Sequence, residues 1–520
     1  MSFLLMGVKP LQCMEILKGA YYDSVTLMLV ARELNKLEGV TFASLSMGTE
    51  ANYRIMATGG FDLSGVTAGP GDMIIAVLGD GEENLSKALV AAKEYLANPP
   101  WKKATSAGDY RPKSLDGAVS IQPESNLAVI SVAGRYAGDI ARDCIEKGLN
   151  VMLYSDNVSV EKEVEIKRLA EEKGLLVMGP DCGTVIIRGA AIGMANVCPT
   201  GPVGMVAAAG TGLQEVHVQL ALRGVGTLHG IGTGGRDVKS AVGGIMMLSA
   251  IKTLLTDEEV KVLVVLGKPP AAEVEAKIIA TVEKSEKPVV LGFIGGAVHG
   301  DRKPVYLCSE LEETAAVAAA LAVGKDPVAA RNDLTELHKS LKARAEKIGV
   351  RKGYLRGLYS GGTLCYEAQL IASALLGDVW SNTPLKKERK LENSLQMREH
   401  SIVDYGEDEF TQGKLHPMID VSFRCGRIAE EAANQEVGVI LMDLVLGYGC
   451  HRDPASEIAE AVKKAKSLCG DRIAFVASVC GTEGDPQKAS DQRKKLEDAG
   501  VHMCDSNAQA TRLAAYLLGR

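Results

Sequence analysis

Two segments of the chain are built alike and could bind an anion. Val206-Ala207-Ala208-Ala209-Gly210-Thr211-Gly212-Leu213-Gln214-Glu215 and Gly357-Leu358-Tyr359-Ser360-Gly361-Gly362-Thr363-Leu364-Cys365-Tyr366-Glu367 each read as an apolar strand, small residues, Gly-Thr or Gly-Gly-Thr, then a helix carrying Glu. A small-residue turn between strand and helix leaves the first backbone N–H groups unpaired, with the positive end of the helix dipole behind them. Such a turn takes phosphate or carboxylate, and its repetition favours that reading over packing alone. Gly210, Thr211 and Gly212, with Gly361, Gly362 and Thr363, are therefore candidate ligands. The two turns are expected to face one another, with phosphate or sulfate held near Gly210 and Gly361.

Other residues offer less. Gly230 to Gly235 contributes Gly234 and Gly235 as a third small-residue run, followed by Arg236 and Asp237. Arg236 reads either as a bidentate contact to phosphate or carboxylate or as a surface salt bridge. Cys182 reads as a residue near substrate or, in preference, as a small buried apolar one. His217 lies too far along its helix to reach a phosphate and reads as packing, and His416 before Pro417 reads as structural. No set of histidines and carboxylates has metal-ligand spacing, so no dedicated metal site is expected.

These turns need parallel strands to present them. The 56 glycines and only 4% aromatic residues, with short Ala/Val/Leu/Ile runs, favour alternating β and α elements. The first segment predicts strands at Met14–Ala20, Val40–Ser46 and Met73–Leu78 and helices at Ser24–Lys36, Glu50–Thr58 and Glu83–Leu96. A Pro- and Ser-rich stretch from Asn98 to Glu124 reads as a linker. From Asn126 two βα units imply a parallel, doubly wound sheet. Strands at Val203–Ala207, Gly226–Ile231, Val260–Leu266 and Pro288–Ile294 follow, then a charged, solvated helix across 325–351. A last unit has strands near Leu355–Tyr359, Gly438–Leu444 and Arg472–Ser478.

At 520 residues and 46% hydrophobic content the chain is long enough for three to five domains. With 58 basic and 65 acidic residues and a net charge of −7, nothing favours nucleic acid or an anionic membrane as partner. No apolar run reaches the roughly 20 residues of a membrane span, and Met1 to Met6 lacks a basic flank, so a cytoplasmic location is expected. The 11 scattered cysteines, without a CxxC pair, read as reduced thiols.

Several motifs resemble the succinyl-CoA synthetase superfamily. Met178-Gly179-Pro180-Asp181-Cys182-Gly183-Thr184-Val185-Ile186 is similar to its α-subunit signature IGPNCPGVI. Gly201-Pro202-Val203-Gly204-Met205-Val206 with Gly210-Thr211, then Gly230 to Gly235, then Lys287 to Gly296, match further α-subunit motifs in the family's order. His416-Pro417-Met418-Ile419-Asp420, the run Val439 to Gly449 and Val479-Cys480-Gly481-Thr482-Glu483 resemble the ligase domain of the β subunit. A fused α-like and β-like chain with a distinct N-terminal unit resembles the FdrA branch. The resemblance implies a multi-domain α/β fold: a small N-terminal α/β domain (1–115), a CoA-binding-like Rossmann domain (116–200) and two flavodoxin-like ligase domains (201–325 and 353–520) about a connector (326–352).

Departures from the pattern shape the chemistry it implies. The family's phosphohistidine loop is missing after Gly295-Gly296, leaving His299 as the one candidate phosphoryl carrier. The acidic residue that faces that histidine is replaced by Lys268, which attracts phosphate or carboxylate. No stretch resembles an ATP-grasp domain. The FdrA resemblance therefore implies a subunit of an oxamate carbamoyltransferase assembly in allantoin catabolism, with phosphate or carbamoyl phosphate as substrate, Lys268 and Arg236 at the reacting phosphate, and partner subunits or a homo-oligomer. The alternatives are an NDP-forming acyl-CoA synthetase that needs phosphorylated His299 and an ATP-grasp partner, and a non-enzymatic scaffold that binds CoA or a metabolite. CoA stays open as a ligand in all three.

Overall fold

The structure, a computed structural model, describes residues 11–20, 22, 24–69, 71–99, 112, 114–296, 300–412 and 414–520. Among them no helix is long and apolar enough to cross a membrane. The chain divides into two compact units, Met1–Pro123 with Thr411–Leu415, and Glu124–Phe410 with His416–Arg520.

The first unit is a three-stranded antiparallel sheet with helices. It runs β1 (Leu11–Leu17), α1 (Ser24–Leu34), β2 (Val40–Met47), α2 (Glu50–Thr58), β3 (Met73–Gly79), α3 (Glu82–Ala97) and α4 (Leu115–Ile121), in the sheet order β1-β3-β2. Central β3 is buried along its whole length. Its register pairs Leu11 with Gly79 and Leu17 with Met73, which starts β1 three residues before the expected Met14. The stretch expected to be a linker contains α4, started by the Ser114 side chain accepting from the Gly117 N–H.

The second unit begins with β4 (Leu127–Ile130), α5 (Gly134–Glu146), β5 (Asn150–Leu153), α6 (Val160–Glu172) and β6 (Val177–Met178), a parallel sheet ordered β4-β5-β6. The hairpin of β7 (Thr184–Ile187) and β8 (Ala190–Gly193) then joins the next sheet, so that sheet draws residues from both sides of the boundary expected at 200. It continues with β9 (Val203–Ala207), α7 (Gly210–Leu222), β10 (Thr227–Gly232), α8 (Ile245–Thr256), β11 (Val262–Gly267), α9 (Ala272–Val282), β12 (Val289–Phe293), β13 (Val305–Cys308) and α10 (Leu311–Ala322). The long α11 (Pro327–Ile348) has Asp326 as its N-cap. The helix is solvated on most of its surface, as expected, but buries Leu334, Leu341 and Ala345.

The last part comprises β14 (Tyr354–Tyr359), α12 (Gly362–Leu376), β15 (Ser401–Asp404), α13 (Asp408–Thr411), α14 (Ser422–Ala433), β16 (Val437–Val445), α15 (Pro454–Cys469), β17 (Ala474–Cys480), α16 (Ala489–Asp498), β18 (His502–Cys504) and α17 (Asn507–Tyr516). Its sheet runs β15-β14-β16-β17-β18, and the parallel part of the larger sheet runs β10-β9-β11-β12-β13. Both have the order 2-1-3-4-5 of flavodoxin-like folds. The repeated motif therefore sits after the first strand of two sheets wound the same way.

One continuous apolar core joins these two sheets. Leu213, Val216, Val317 and Ala318 of the first meet Leu364, Ala368, Ala372, Leu513 and Ala514 of the second. The repeated glutamates lie inside it and serve opposite halves: Glu367 on α12 accepts from the Leu311 N–H at the start of α10 at 2.7 Å, and Glu215 on α7 accepts from the Asn507 N–H at the start of α17 at 3.5 Å. A carboxyl oxygen at a helix N-terminus satisfies an orphan backbone donor. Burial pushes Glu215 up to about 7 and Glu367 up to about 8, with Glu312 acting on Glu215 and Glu310 on Glu367 in the same sense.

Both groups hold a proton more tightly folded than unfolded. Their contribution is complete below pH ~4.5 and is lost as pH rises through about 7 and about 8, at about 1.4 kcal/mol per tenfold difference in proton affinity. Denaturant unfolding between pH 5 and pH 9 is expected to show stability falling with pH, and Glu215→Gln with Glu367→Gln to flatten that slope.

Candidate functional site

The two turns meet. Thr363 on α12 donates its N–H to Thr211 Oγ1 on α7 at 3.1 Å. A Cβ added at Gly212 would lie 2.9 Å from Thr363 Cγ2, so glycine is what lets the helix starts approach. Two parallel-sheet switch points are thereby brought together, the place where open α/β sheets bind ligands.

The strand register shows how the two starts differ. Ala207 precedes the α7 turn and is flanked by Gly232 and Leu266. Tyr359 precedes the α12 turn, with Asp404 opposite it on one side and Asp443, the residue after the Leu358 partner Met442, on the other. The same two positions hold neutral residues in one half and carboxylates in the other.

At α12 the carboxylates are used. Asp443 accepts from the Ser360 N–H at 2.8 Å, the Gly361 N–H at 2.7 Å and the Ser360 hydroxyl, and is paired to Arg424 at 2.7 Å. The anion expected at Gly361 is thus corrected: the chain's own Asp443 occupies those donors. Asp404 stands beside them, its Oδ1 accepting from the Gly406 N–H at 2.8 Å. Burial, helped by Glu407, pushes its carboxyl up to about 7.

At α7 no described group accepts from the N–H groups of Gly210, Thr211 or Gly212, and the N-cap, Ala209, has no side chain to do so. Lys268 follows β11 directly, two residues after Leu266, which pairs with Ala207 of β9. Its ammonium rests 5.0 Å from the ring centroid of Tyr366 on α12 and makes no ion pair with a described residue. The half-buried ammonium acts on the Asp404 and Glu407 carboxyls and lowers their hold on a proton, while the first N–H groups of α7 have no acceptor among the described residues.

The remaining expected residues lie elsewhere in function. Arg236 donates to the Val158 carbonyl at 2.8 Å and pairs with Glu163 at 2.9 Å, so the salt-bridge reading holds and its guanidinium is engaged away from the turns. Glu163 belongs to a fully buried cluster in which Lys167 Nζ contacts Glu163, the Thr233 carbonyl and Asp237 at 2.7, 2.9 and 2.9 Å, while Asp237 caps α8 through the Met246 and Met247 N–H groups. Gly234, at φ +83°, packs against the Gly179-Pro180 backbone, and Gly235 follows it in the same turn. Cys182 is buried against Gly232, and burial pushes its thiol up to about 12. His217 is buried 2.9 Å from the Thr227 hydroxyl. His299 lies outside the described residues.

Sequence reasoning missed Asp404, Asp443 and Arg424. Asp443 lies inside an apolar strand and was legible as the one charge in that run; Asp404 ends a four-residue strand with no periodic signal. His416 also gains a place. Its Nδ1 accepts from the Met418 N–H, which leaves the ring proton on Nε2, and a Cβ at Gly406 would sit 2.7 Å from Nε2 and 3.1 Å from Asp404 Oδ1. Burial, with Arg424 acting in the same sense, lowers His416 to about 4, so the ring is neutral. The cavity of about 200 Å³ between α12 and the ends of β12 and β13 is lined in part by Leu370, Glu310 and Arg512, but that guanidinium is engaged with Glu310 at 2.6 Å.

Asp443→Ala is expected to cost about 3–5 kcal/mol, because it leaves Arg424 buried without its partner and two N–H groups unsatisfied. Denaturant unfolding measures this, and Asp443→Asn, which keeps an acceptor, should lose less.

Residues 358–517 match the CoA-ligase family, and residues 10–112 match a family described as AllF, heavy metal-associated domain. Residues 1–112 hold one cysteine, Cys13, and no histidine, and no described cluster of His, Cys, Asp or Glu is placed to hold a metal, so the residues there do not fit a metal ion. The uncharacterized protein YahF of Escherichia coli (strain K12) is 39% identical over 95% of this chain and 96% of its own length. The succinate–CoA ligase [ADP-forming] α subunit of Methanothermobacter thermautotrophicus is 27% identical over 34% of this chain and 60% of its own length. Among solved structures, PH0766 from Pyrococcus horikoshii OT3 aligns at 13% identity over 76% of this chain and 83% of its own, with a TM-score of 0.30.

Proposed function

This chain belongs to the succinyl-CoA synthetase-like, NDP-forming acyl-CoA synthetase family that includes YahF, and from that premise we propose that it transfers an acyl group to or from phosphate at the start of α7. The observation that carries the reading is the asymmetry of the paired turns: the α12 donors are taken by Asp443, while the first N–H groups of α7 have no acceptor among the described residues and Lys268 makes no ion pair with one. Donors fixed in place where charge develops are the main means by which a protein stabilises a departing or attacking phosphate.

In its specific form the acyl group is carbamoyl and the acceptor oxamate, so that oxalurate is phosphorolysed to carbamoyl phosphate in company with partner subunits. One feature supports this over ligation to CoA: Lys268 repels the imidazolium a phosphohistidine cycle would need beside it. The match to ligase α subunits supports CoA as the competing acceptor. With partner subunits present, phosphate-dependent formation of carbamoyl phosphate from oxalurate is expected, without acid-labile label from ATP. CoA-dependent turnover with such a label would establish the ligase instead.

Lys268 supplies the magnitude. A charge-assisted contact to an anion is worth about 1.5–3 kcal/mol, so Lys268→Ala is expected to weaken phosphate or carbamoyl phosphate about 10- to 150-fold. Lys268→Glu should be worse, since it repels the anion, and neither should alter unfolding by more than about 0.5 kcal/mol. Equal affinities for all three proteins would remove Lys268 from the site.

A further inference from the structure

Acyl transfer between phosphate and nitrogen moves a proton as well as a group, and the anion site described above has no residue to carry it: Lys268 and backbone N–H groups hold charge in place. One carboxyl on which Lys268 acts can do so. Asp404 is 3% exposed; its Oδ1 takes the Gly406 N–H, while no described group donates to Oδ2. Oδ2 is aimed at the start of α12, where a Cβ at Gly362 would meet it at 2.8 Å. A larger residue at 362 would close the gap that Gly362 keeps open. Oδ2 is not among the side-chain oxygens sealed from solvent without a partner, so with no described donor it stays open to a ligand that enters by that gap.

We propose that Asp404 is the proton-carrying catalytic residue of the acyl transfer, which rests on the function proposed above. In the phosphorolytic direction a phosphate oxygen attacks the acyl carbon and the carbon–nitrogen bond breaks. The departing nitrogen takes the proton of the Asp404 carboxylic acid. The carboxylate left behind takes the proton of the attacking phosphate hydroxyl, so the group ends as it began and no other reactant is needed. In the reverse direction the carboxylate removes the proton from the nitrogen nucleophile.

The surroundings suit a group that changes charge near neutral pH. Burial comes first, then Glu407 from the loop after β15, the Gly406 N–H opposing, Asp443 from β16, and Lys268 from the end of β11 opposing; together they place Asp404 at about 7. Asn382 fixes the backbone at both the N–H and carbonyl of Asp404, and His416, neutral, lies on the Gly406 side. A general acid or base works best with a pKa near the working pH.

The test uses the full chain with its partner subunits and measures two things: inorganic phosphate binding, and the pH profile of turnover. Asp404→Asn is expected to keep phosphate affinity within about twofold while turnover falls about 100- to 10,000-fold, the range of general acid–base catalysis. The limb near pH 7 in the wild-type profile should vanish, and Asp404→Glu should restore part of the rate with a shifted limb. Normal turnover by Asp404→Asn, with phosphate still bound, would overturn this inference alone. Loss of phosphate binding in Asp404→Asn but not in Asp404→Glu would make Asp404 a structural support of the turn and overturn it too. Wild-type protein that binds no phosphate would instead sink the acyl-transfer reading.

Discussion

Two helices pointing their N-termini at each other bring together two partial positive charges, and the arrangement requires negative charge nearby. Asp443 supplies it at α12, fixed by Arg424 and by two backbone donors, and Asp404 stands on the other flank of the same turn. With one end compensated from inside the chain, the Thr211–Thr363 contact can close. The other end, at Gly210, keeps its unsatisfied donors and gains Lys268 besides. The polarity of the site follows from which of the two like turns holds the carboxylates.

Much of this was legible in the sequence. The repeated strand, Gly-Thr and Glu pattern marked both turns, because a tight βα connection needs small residues whatever the surrounding chain does. The long buried strands β9, β11, β14 and β16 stood out as aliphatic runs. What escaped were β7, β8, β13, β15 and β18, three or four residues each, too short to show periodicity and specified by neighbours already in place. Asp404 escaped with β15. The reading of Gly361 as an anion site failed for a related reason: the side chain that fills it comes from residue 443, and sequence distance hides such a partner. Arg236 and Cys182 took the blander of their two readings, as an ion pair and a packed thiol.

The two flavodoxin-like sheets are the same topology with different residues at equivalent places. Gly232 and Leu266 in one correspond to Asp404 and Asp443 in the other, whereas the glutamates at 215 and 367 are kept in both and cap helices across the shared core. What is common to the halves holds them together; what differs puts carboxyls at the start of α12 and neutral residues at the start of α7.

The fully buried Lys167 has a mechanical consequence. It ties α6, through Glu163, to the turn at Thr233 and to the start of α8 through Asp237, with all three side chains sealed from water. Sliding α6 away from that turn would strand a charge in an apolar interior, at a cost of several kcal/mol. The parallel sheet β4-β5-β6 and the sheet that contains β9 are therefore latched at α6, where a relative slide is costly.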